Sequence, residues 1–400
     1  MRISKKVSLV VLMMFMLSIL AIGCGDTSST GDGEKDKAGV SDKADVIKVG
    51  INAELTGAVA SYGTNARDGA LLAIEHINAE GGVLGQELKA IVRDCKSIPD
   101  EAMSVSASLA DEGIVAQIGP LTSGNVAGST PMVMENQIPL IAPAATADDI
   151  TLERDGSAKD FIFRVCYSDS FQGKIMADFA ADNLGVKNVA IYKDASSDYA
   201  QGLADYFTET FTAKGGKIII EEGFVKGDRD FRGTLTKIRG ADPDFIYIPG
   251  YYEEVAPLIK QARELGIKAP LGGPDGWDSP DLVGVVGADN LNETYFTNHY
   301  SIEDENPKVI DFVERYREKY NKDPDAFAAL GYDAVLLLAR GIEDAGEVDP
   351  VKIQQALEKV TNFEGVTGTM DIDKQHNPVK GVVIIESIDG KQTMNTRIQP

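Results

Sequence analysis

From residue 46 onward, apolar and polar residues alternate with two different periodicities along the chain. Short runs rich in β-branched residues, such as IKVGINA at 47–53, are typical of buried strands. Between them lie longer segments such as 65–80, where Ala70, Ile74 and Ile77 share one helical face before Gly81 and Gly82 end the pattern. The predicted strands span 47–53, 87–94, 114–119, 138–143, 188–193, 217–222, 244–249 and 381–389, and the predicted helices span 65–80, 100–112, 125–136, 199–214, 230–239, 253–265, 307–320 and 330–345.

This alternation of strands and helices is typical of parallel sheets that carry helices on both faces. It runs twice, and the second set begins after about Arg164. We therefore predict an α/β fold with two doubly wound parallel-sheet lobes. Open sheets of this kind bind ligands beyond the carboxyl ends of their strands, so two facing lobes would place a site between those ends.

The first 45 residues have a different character. Positive residues precede an apolar run that is too short to span a bilayer, and LAIGC at 20–24 resembles a bacterial lipobox. We predict a lipoprotein signal peptide at 1–23 and lipid attachment at Cys24; a plain signal peptide or an uncleaved anchor is the alternative. Residues 24–45 are rich in Gly, Ser, Asp and Lys and contain no aromatic residue, which predicts a disordered tether.

Composition and charge narrow the function classes. The chain has 400 residues, 43% of them apolar, which is enough for two cores, and no second long apolar run follows the first. A formal net charge of −23 argues against nucleic acid as a partner. The histidines show no metal-ligand spacing, and we expect no metal or other cofactor. Cys95 and Cys166 are either paired or, on the simpler interpretation, two buried thiols.

Two loops at strand ends can accept an anion. Gly119 to Gly124 reads GPLTSG and opens a helix, whose free amides and dipole favour negative charge, while Ser123 adds a hydroxyl. The next strand is followed by Ala144, Ala145 and Thr146, which are again small and hydroxylated. Either loop alone would be an ordinary turn or helix cap. Together they predict a cradle for one carboxylate.

Acidic and aromatic residues follow the other strands. Asp169 follows the strand-like FIFRVC, Tyr251 follows DFIYIPG, and Asp275 and Trp277 follow a short strand at 269–272. Carboxylates and phenols accept hydrogen bonds from an ammonium group, and aromatic rings cover aliphatic side chains. Each Asp alone would be a turn or cap residue. An anion cradle in one lobe and ammonium acceptors in the other match the charge pattern of a zwitterion.

Several segments carry a family resemblance over nearly all of 46–390. The body resembles the periplasmic leucine/isoleucine/valine-binding proteins of ABC importers, which have the type I periplasmic-binding fold. The segments are LTGAVASYGTNARDGALLAIEHINAEGGVLGQEL, IGPLTSGNV, IPLIAPAATA, FRVCYSDSFQG, YAQGLAD, FIYIPGYYEE, GGPDGWDS and AFAALGYDA.

The resemblance implies roles for individual residues. It implies that Ser123, Ala144 and Thr146 hold the α-carboxylate of an amino acid, with Ala144 acting through its backbone amide. It implies that Asp169, Tyr251 and Asp275 hold the α-ammonium. The side-chain pocket would be shaped by Tyr62, Thr122, Tyr199 and Phe327 beside Trp277. The family often has Glu at the position of Asp275. The family also often has a disulfide between the 94–97 turn and the 121–123 loop. Here Thr122 stands at the place of the second cysteine, so we do not predict that bridge for Cys95.

The resemblance further implies an organisation and a function. The lobes would comprise 46–167 with 298–376 and 168–297 with 377–400, joined by hinge crossovers. The protein would be a monomeric, extracytoplasmic, lipid-anchored solute-binding protein that captures Leu, Ile or Val by hinge closure and delivers it to ABC permease subunits. A sensory protein for an amino acid or small amide is the alternative. An enzyme is not expected, because no GxSxG elbow, HExxH, P-loop or GxGxxG occurs.

Overall fold

The structure, a computed structural model, describes residues 46–399. The predicted signal peptide at 1–23, the lipid attachment at Cys24 and the tether at 24–45 lie outside the described residues. None of the helices between residues 46 and 399 combines the length with the hydropathy that a membrane span requires.

Strands and helices alternate along the described chain, as the hydrophobic pattern predicts. The strands are β1 (Ile47–Ala53), β2 (Leu88–Asp94), β3 (Ala116–Ile118), β4 (Leu140–Ala142), β5 (Ile162–Arg164), β6 (Asn188–Asp194), β7 (Lys217–Phe224), β8 (Phe245–Tyr247), β9 (Leu271–Gly273), β10 (Thr294–Asn298), β11 (Phe363–Gly365), β12 (Gly368–Ile372), β13 (Pro378–Val379), β14 (Val382–Ile388) and β15 (Lys391–Ile398). The helices are α1 (Ala60–Ala79), α2 (Pro99–Asp111), α3 (Ser123–Glu135), α4 (Asp169–Asp178), α5 (Asp198–Ala213), α6 (Arg232–Ala241), α7 (Tyr252–Glu264), α8 (Pro280–Val286), α9 (Pro307–Tyr320), α10 (Ala326–Ala345) and α11 (Pro350–Leu357).

Local signals explain where several helices begin and end. α9 begins with Pro307, and the Asn306 side chain before it accepts a hydrogen bond from the Lys308 amide at 3.0 Å. α10 ends at Gly346, whose φ of 70° is a left-handed conformation that glycine adopts without a Cβ clash. Polar caps therefore set the bounds, while apolar faces decide how the helices pack.

Two large sheets organise the described chain. The first has the order β2-β1-β3-β4-β5 and is parallel throughout. The second has the order β15-β14-β10-β9-β8-β6-β7, and a small third sheet contains β11, β12 and β13. The predicted α/β class with two sheets is confirmed.

The second sheet departs from the all-parallel expectation. β14 pairs antiparallel with β10, and β15 pairs antiparallel with β14. β14 and β15 are joined only by Asp389 and Gly390, and so short a connection forms a hairpin, because parallel neighbours need a long crossover. β15 was not predicted, since its residues are mostly polar or half-buried.

The chain passes from the first large sheet to the second after β5, leaves the second after β10 and returns to it after β13. β13 still pairs with β12 in the small sheet, whereas β14 belongs to the second large sheet. The bounds predicted for the two lobes fall close to these passages and stay a prediction.

The start of α10 lies against α1 of the first sheet. A Cβ atom added to Gly69 would come within 1.9 Å of the Ala328 carbonyl oxygen, and one added to Gly331 within 2.1 Å of the Ala66 carbonyl oxygen. The two helices can therefore approach this closely only because these positions are glycine. Their contact stacks the ring of Phe327 on that of Tyr62, with centroids 4.1 Å apart.

Cys95 and Cys166 are both buried and free in the structure. Burial raises the pKa of the Cys166 thiol to about 12, and burial also raises the pKa of Cys95. Both thiols therefore stay protonated at neutral pH, which agrees with the simpler of the two sequence interpretations.

Candidate ligand-binding site

The two loops predicted as an anion cradle lie side by side. Ser123 is the first residue of α3, and its Oγ accepts a hydrogen bond from the Ala147 amide at 3.2 Å. Ala144 and Thr146 are buried in the neighbouring loop after β4. Among the described residues, the Thr146 hydroxyl is buried without a hydrogen-bond partner. A buried polar atom without a partner is unfavourable, so this hydroxyl marks a place for a ligand atom or a water.

Two amides of the helix start are not free, contrary to the sequence expectation. The amides of Leu121 and Thr122 donate to the carboxylate of Glu54, at 3.1 Å each for the shorter contacts. The Thr122 hydroxyl at 3.0 Å and the Asn125 side chain at 2.8 Å donate to the same group. Glu54 is fully buried and directly follows β1. Its position after a buried strand is the sequence signal that could have identified it.

Asp169 lies directly beside the cradle. Its amide donates to the Thr146 carbonyl at 2.8 Å, and its Oδ1 accepts a hydrogen bond from Gln172 at 2.8 Å. Its Oδ2 is buried without a partner within the described part of the chain. Burial raises the pKa of Asp169 well above its ordinary value and the charge of Asp275 adds to this, although the neighbouring Thr146 and Gln172 side chains oppose the shift. A cationic group placed at Oδ2 would relieve this cost.

Asp275 lies in the same buried network but is already well bonded. Its Oδ1 accepts hydrogen bonds from Tyr199 at 2.8 Å and from Gln172 at 3.2 Å, and its Oδ2 lies 3.0 Å from Nε2 of His299. Burial lowers the pKa of His299 to about 4 although the contact with Asp275 opposes this, so the ring is neutral at neutral pH and Nε2–H donates to Asp275. No sequence pattern indicated that His299 or Gln172 belongs to the site.

Aromatic rings enclose a small cavity next to these acids. The rings of Tyr199 and Tyr251 are stacked at 5.0 Å, and Tyr62 meets Tyr251 edge to face at 5.9 Å. The Tyr62 hydroxyl donates to the Gly276 carbonyl, which joins the α1 side directly to the loop after β9. The cavity is lined by Tyr62, Leu121, Thr122, Ala144, Tyr199, Tyr251, Asp275, Gly276 and Phe327.

Trp277 is the exception among the predicted pocket residues. Its side chain is fully buried in the hydrophobic core of the second sheet, and its Nε1–H donates to the Ile248 carbonyl at 3.1 Å. Asp275 and Trp277 share one short 3-10 helix, but only Asp275 lines the cavity. Trp277 therefore does not line this cavity, because the turn directs its ring towards the core, and its predicted place beside the ligand stays a prediction.

The cavity joins an aromatic enclosure to Ala144 and Asp275. The unpartnered Thr146 hydroxyl and Asp169 Oδ2 lie behind this lining: Thr146 follows Ala144 by two residues, and Gln172 bonds both Asp169 and Asp275. Between residues 46 and 399, no group of three or more His, Cys, Asp or Glu residues is arranged to hold a metal ion. The arrangement offers hydrogen-bond donors and acceptors next to each other, with apolar surface beside them. This combination suits the head group of a zwitterion with an apolar side chain, but the cavity measures only about 10 Å³, so a ligand of that size requires its walls to move apart.

Known proteins of similar sequence are binding proteins by name. A leucine-, isoleucine-, valine-, threonine- and alanine-binding protein from Pseudomonas aeruginosa is 32% identical over 333 residues, which cover 83% of this chain and 87% of that protein. The Leu/Ile/Val-binding protein BraC3 from Rhizobium johnstonii is 32% identical over 76% of this chain and 80% of its own length. These relatives agree with the expectation of a binding protein and not an enzyme.

Solved structures extend the similarity to the whole fold. The branched-chain amino acid transporter substrate-binding protein LivJ from Streptococcus pneumoniae, in complex with isoleucine, is 38% identical with a TM-score of 0.83, covering 89% of this chain and 100% of that chain. The leucine-binding protein LivK from Thermotoga maritima is 36% identical with the same TM-score of 0.83, covering 89% and 99%. The periplasmic binding protein family model matches residues 46–392, and the chain belongs to this family.

Proposed function

We propose that the protein captures a free branched-chain amino acid, Leu, Ile or Val, in the cleft between its two sheets and delivers it to the permease subunits of an ABC importer. One observation supports the proposal: the amide of Asp169 bonds the carbonyl of Thr146 at 2.8 Å, and the Thr146 hydroxyl and Asp169 Oδ2 are both buried without a hydrogen-bond partner among residues 46–399. Relatives that are at least 30% identical are named for binding these amino acids.

The proposed carboxylate position lies at the first sheet. The hydroxyls of Ser123 and Thr146 and the Ala144 amide would donate to the ligand's α-carboxylate. Hydrogen bonds to charged groups contribute about 1.5–3 kcal/mol each. The proximity of the Ser123 and Thr146 loops, through the bond from Ala147 to Ser123, supports a single shared acceptor.

The proposed ammonium position lies at Asp169, directly beside the carboxylate position. Asp169 would be its main acceptor, because its Oδ2 has no other partner among residues 46–399. Asp275 would contribute less directly, since Tyr199, Gln172 and His299 already occupy its oxygens. Tyr251 would complete the set.

The aliphatic side chain would lie among the aromatic rings. Tyr62 and Phe327 come from the α1 and α10 side, Tyr199 from α5, and Thr122 closes one end. An aliphatic side chain in such an enclosure gains by leaving water, whereas a charged one would be left without a partner. Discrimination between Leu, Ile and Val would be modest, because one methylene changes binding by only about 1–3 kcal/mol.

Ligand entry would require the two lobes to separate. Tyr62 bonds Gly276 across the cleft, and the Ser279 hydroxyl lies 3.2 Å from that of Ser61, so these contacts would break when the lobes separate. We propose lobes of 46–167 with 298–376 and 168–297 with 377–400 that open and close on the three passages of the chain. Permease subunits would recognise the closed form.

The proposed localisation of the protein rests on the sequence of residues 1–45. We propose that the signal peptide at 1–23 is removed, that Cys24 carries the lipid, and that 24–45 tethers a monomeric binding protein outside the cytoplasm. Metabolic labelling with a radioactive or alkyne fatty acid tests this step. Label should enter the wild-type protein and be absent from Cys24→Ala.

Calorimetry with a matched ligand set tests the proposed function. Leucine should bind, whereas isocaproate, which lacks the ammonium, and isoamylamine, which lacks the carboxylate, should bind at least tenfold more weakly. Each truncated ligand leaves one wall of the pocket without its partner. Equal affinity for leucine and isocaproate, or no binding of any branched-chain amino acid, would contradict the proposal.

A further inference from the structure

Arg164 lies behind the carboxylate loop and is fully buried at the end of β5. One of its terminal nitrogens, Nη1, donates to three successive carbonyl oxygens: those of Ala145 at 3.2 Å, Thr146 at 2.8 Å and Ala147 at 2.8 Å. Its Nε donates to Oδ1 of Asn377 at 2.7 Å. The guanidinium therefore holds the whole loop from one side.

This contact orients the amides of the loop. In a planar trans peptide the carbonyl and the following N–H point in opposite directions. The carbonyls of Ala145 and Thr146 point at Arg164, so the amides of Thr146 and Ala147 point away from it. The Ala147 amide does so, since it donates to Oγ of Ser123 at 3.2 Å. The positive ends of these peptide dipoles are thus directed to the proposed carboxylate position.

The charge of Arg164 has no carboxylate partner. No carboxylate oxygen within residues 46–399 forms an ion pair with its guanidinium, and its Nη2 is buried without a hydrogen-bond partner. Burying a cation without an ion pair is costly. The buried acids of the site are Glu54, Asp169 and Asp275, with 0%, 1% and 3% exposure. Another buried cation nearby, Lys380, donates to the Val165 carbonyl at 3.1 Å and interacts with the charge of Asp333. An incoming carboxylate would be repelled by the ionised acids unless a buried cation such as Arg164 compensates.

We propose that Arg164 is a positioning residue that determines specificity for the ligand's α-carboxylate, acting through the 145–147 loop without touching the ligand. Its charge and its three carbonyl bonds make the cradle attractive to an anion despite three acids nearby. This inference rests on the proposed capture of an amino acid. It adds a third component to the pocket, beyond the hydroxyls and the acids that contact the ligand.

Two substitutions separate the charge from the hydrogen bonds. The side chain of R164Q can still donate to loop carbonyls but is neutral, whereas R164K keeps the positive charge. In calorimetry at neutral pH, R164Q should bind leucine at least tenfold more weakly than the wild type, and R164K should stay within about threefold. A purely structural role would weaken both variants alike.

Arg263 provides a matched control. It is also an arginine that donates to backbone carbonyls, those of Ile267 at 2.9 Å and Ala269 at 2.8 Å, but it lies near the C-terminal end of α7. R263Q should lower the unfolding temperature and leave leucine affinity unchanged. Leucine affinity of R164Q within threefold of the wild type, or an equal loss in R164K, would overturn the inference.

A second readout applies if R164Q does not fold. The buried lysine of R164K should lose its proton as pH rises from about 6 to 9, because burial lowers a lysine pKa, whereas arginine stays charged. The leucine affinity of R164K relative to the wild type should therefore fall over this range, and a constant ratio would refute the role of the charge. If the wild type binds no amino acid at all, the proposed function fails instead.

Discussion

Replacing Asp169 by asparagine changes one atom of a buried side chain and removes its charge. Asp169 is 1% exposed, and its Oδ1 accepts a hydrogen bond from Gln172 at 2.8 Å, which an asparagine oxygen can also accept. Its Oδ2 has no partner among the described residues and is the proposed acceptor of the ligand's ammonium. Asp169→Asn therefore removes that interaction while leaving the shape of the site nearly intact.

The size of the effect follows from the bond that is lost. A hydrogen bond between charged groups contributes about 1.5–3 kcal/mol, and about 1.4 kcal/mol corresponds to a tenfold change in affinity. Asp169→Asn should thus weaken leucine binding by roughly 10- to 150-fold. Because the pKa of Asp169 is raised in the empty site, the comparison is best made at about pH 8, where more of the wild type is ionised.

Isothermal titration with leucine measures this prediction. Asp205→Asn serves as the control, since it makes the same change of charge at an exposed position of α5. Both variants should unfold near the wild-type temperature, and Asp205→Asn should bind leucine like the wild type. Leucine affinity of Asp169→Asn within threefold of the wild type would remove Asp169 from the proposed ammonium site.

Three further predictions test other parts of the account. Ser123→Ala should weaken leucine binding at least tenfold by removing one donor to the carboxylate, and unchanged affinity in calorimetry would argue against the cradle. Leucine affinity should fall as pH is lowered through the raised pKa of free Asp169, because the ligand's ammonium favours the ionised carboxylate. Leucine binding should therefore release protons, which calorimetric titrations in buffers of different ionisation heat detect. Proton uptake on binding would contradict this linkage. Trp277→Phe should destabilise the fold by about 1–3 kcal/mol, because the Ile248 carbonyl loses its hydrogen-bond donor, and should leave leucine affinity unchanged. A loss of leucine affinity without a loss of stability would instead indicate that Trp277 borders the ligand.

Much of the fold could be predicted from hydrophobic periodicity and local caps. β1 and α9 have the predicted bounds 47–53 and 307–320, because a buried strand and a capped amphipathic helix carry strong local signals. α10 begins at Ala326 instead of 330, since its first turn is apolar and the cap at Asp325 gives the better signal. α4 was not predicted, because its apolar residues show little periodicity.

The neighbourhood of the strand ends was also predictable, but not the direction of each side chain. The sequence indicates that Thr146 and Asp169 follow strands, and the structure brings them into contact. It does not indicate that Trp277 turns into the core two residues after Asp275 turns towards the cleft. Such directions depend on tertiary packing around one short turn and leave no local pattern.

Buried polar residues that support the site were missed for a related reason. Glu54, His299 and Arg164 come from segments far apart in the chain, and each acts by bonding a loop or an acid of the site. Polar residues next to apolar strands are common, so their burial becomes evident only in three dimensions. The contacts of Glu54 also show why two amides predicted to be free are occupied.

A crystal structure of the protein with leucine bound would show the contacts of the ligand themselves. We predict that the ligand carboxylate lies within hydrogen-bond distance of Ser123 and Thr146, that the ammonium lies at Oδ2 of Asp169, and that the side chain lies against Tyr62 and Phe327. Leucine bound outside this cleft, or bound with its carboxylate directed at Asp169, would contradict it.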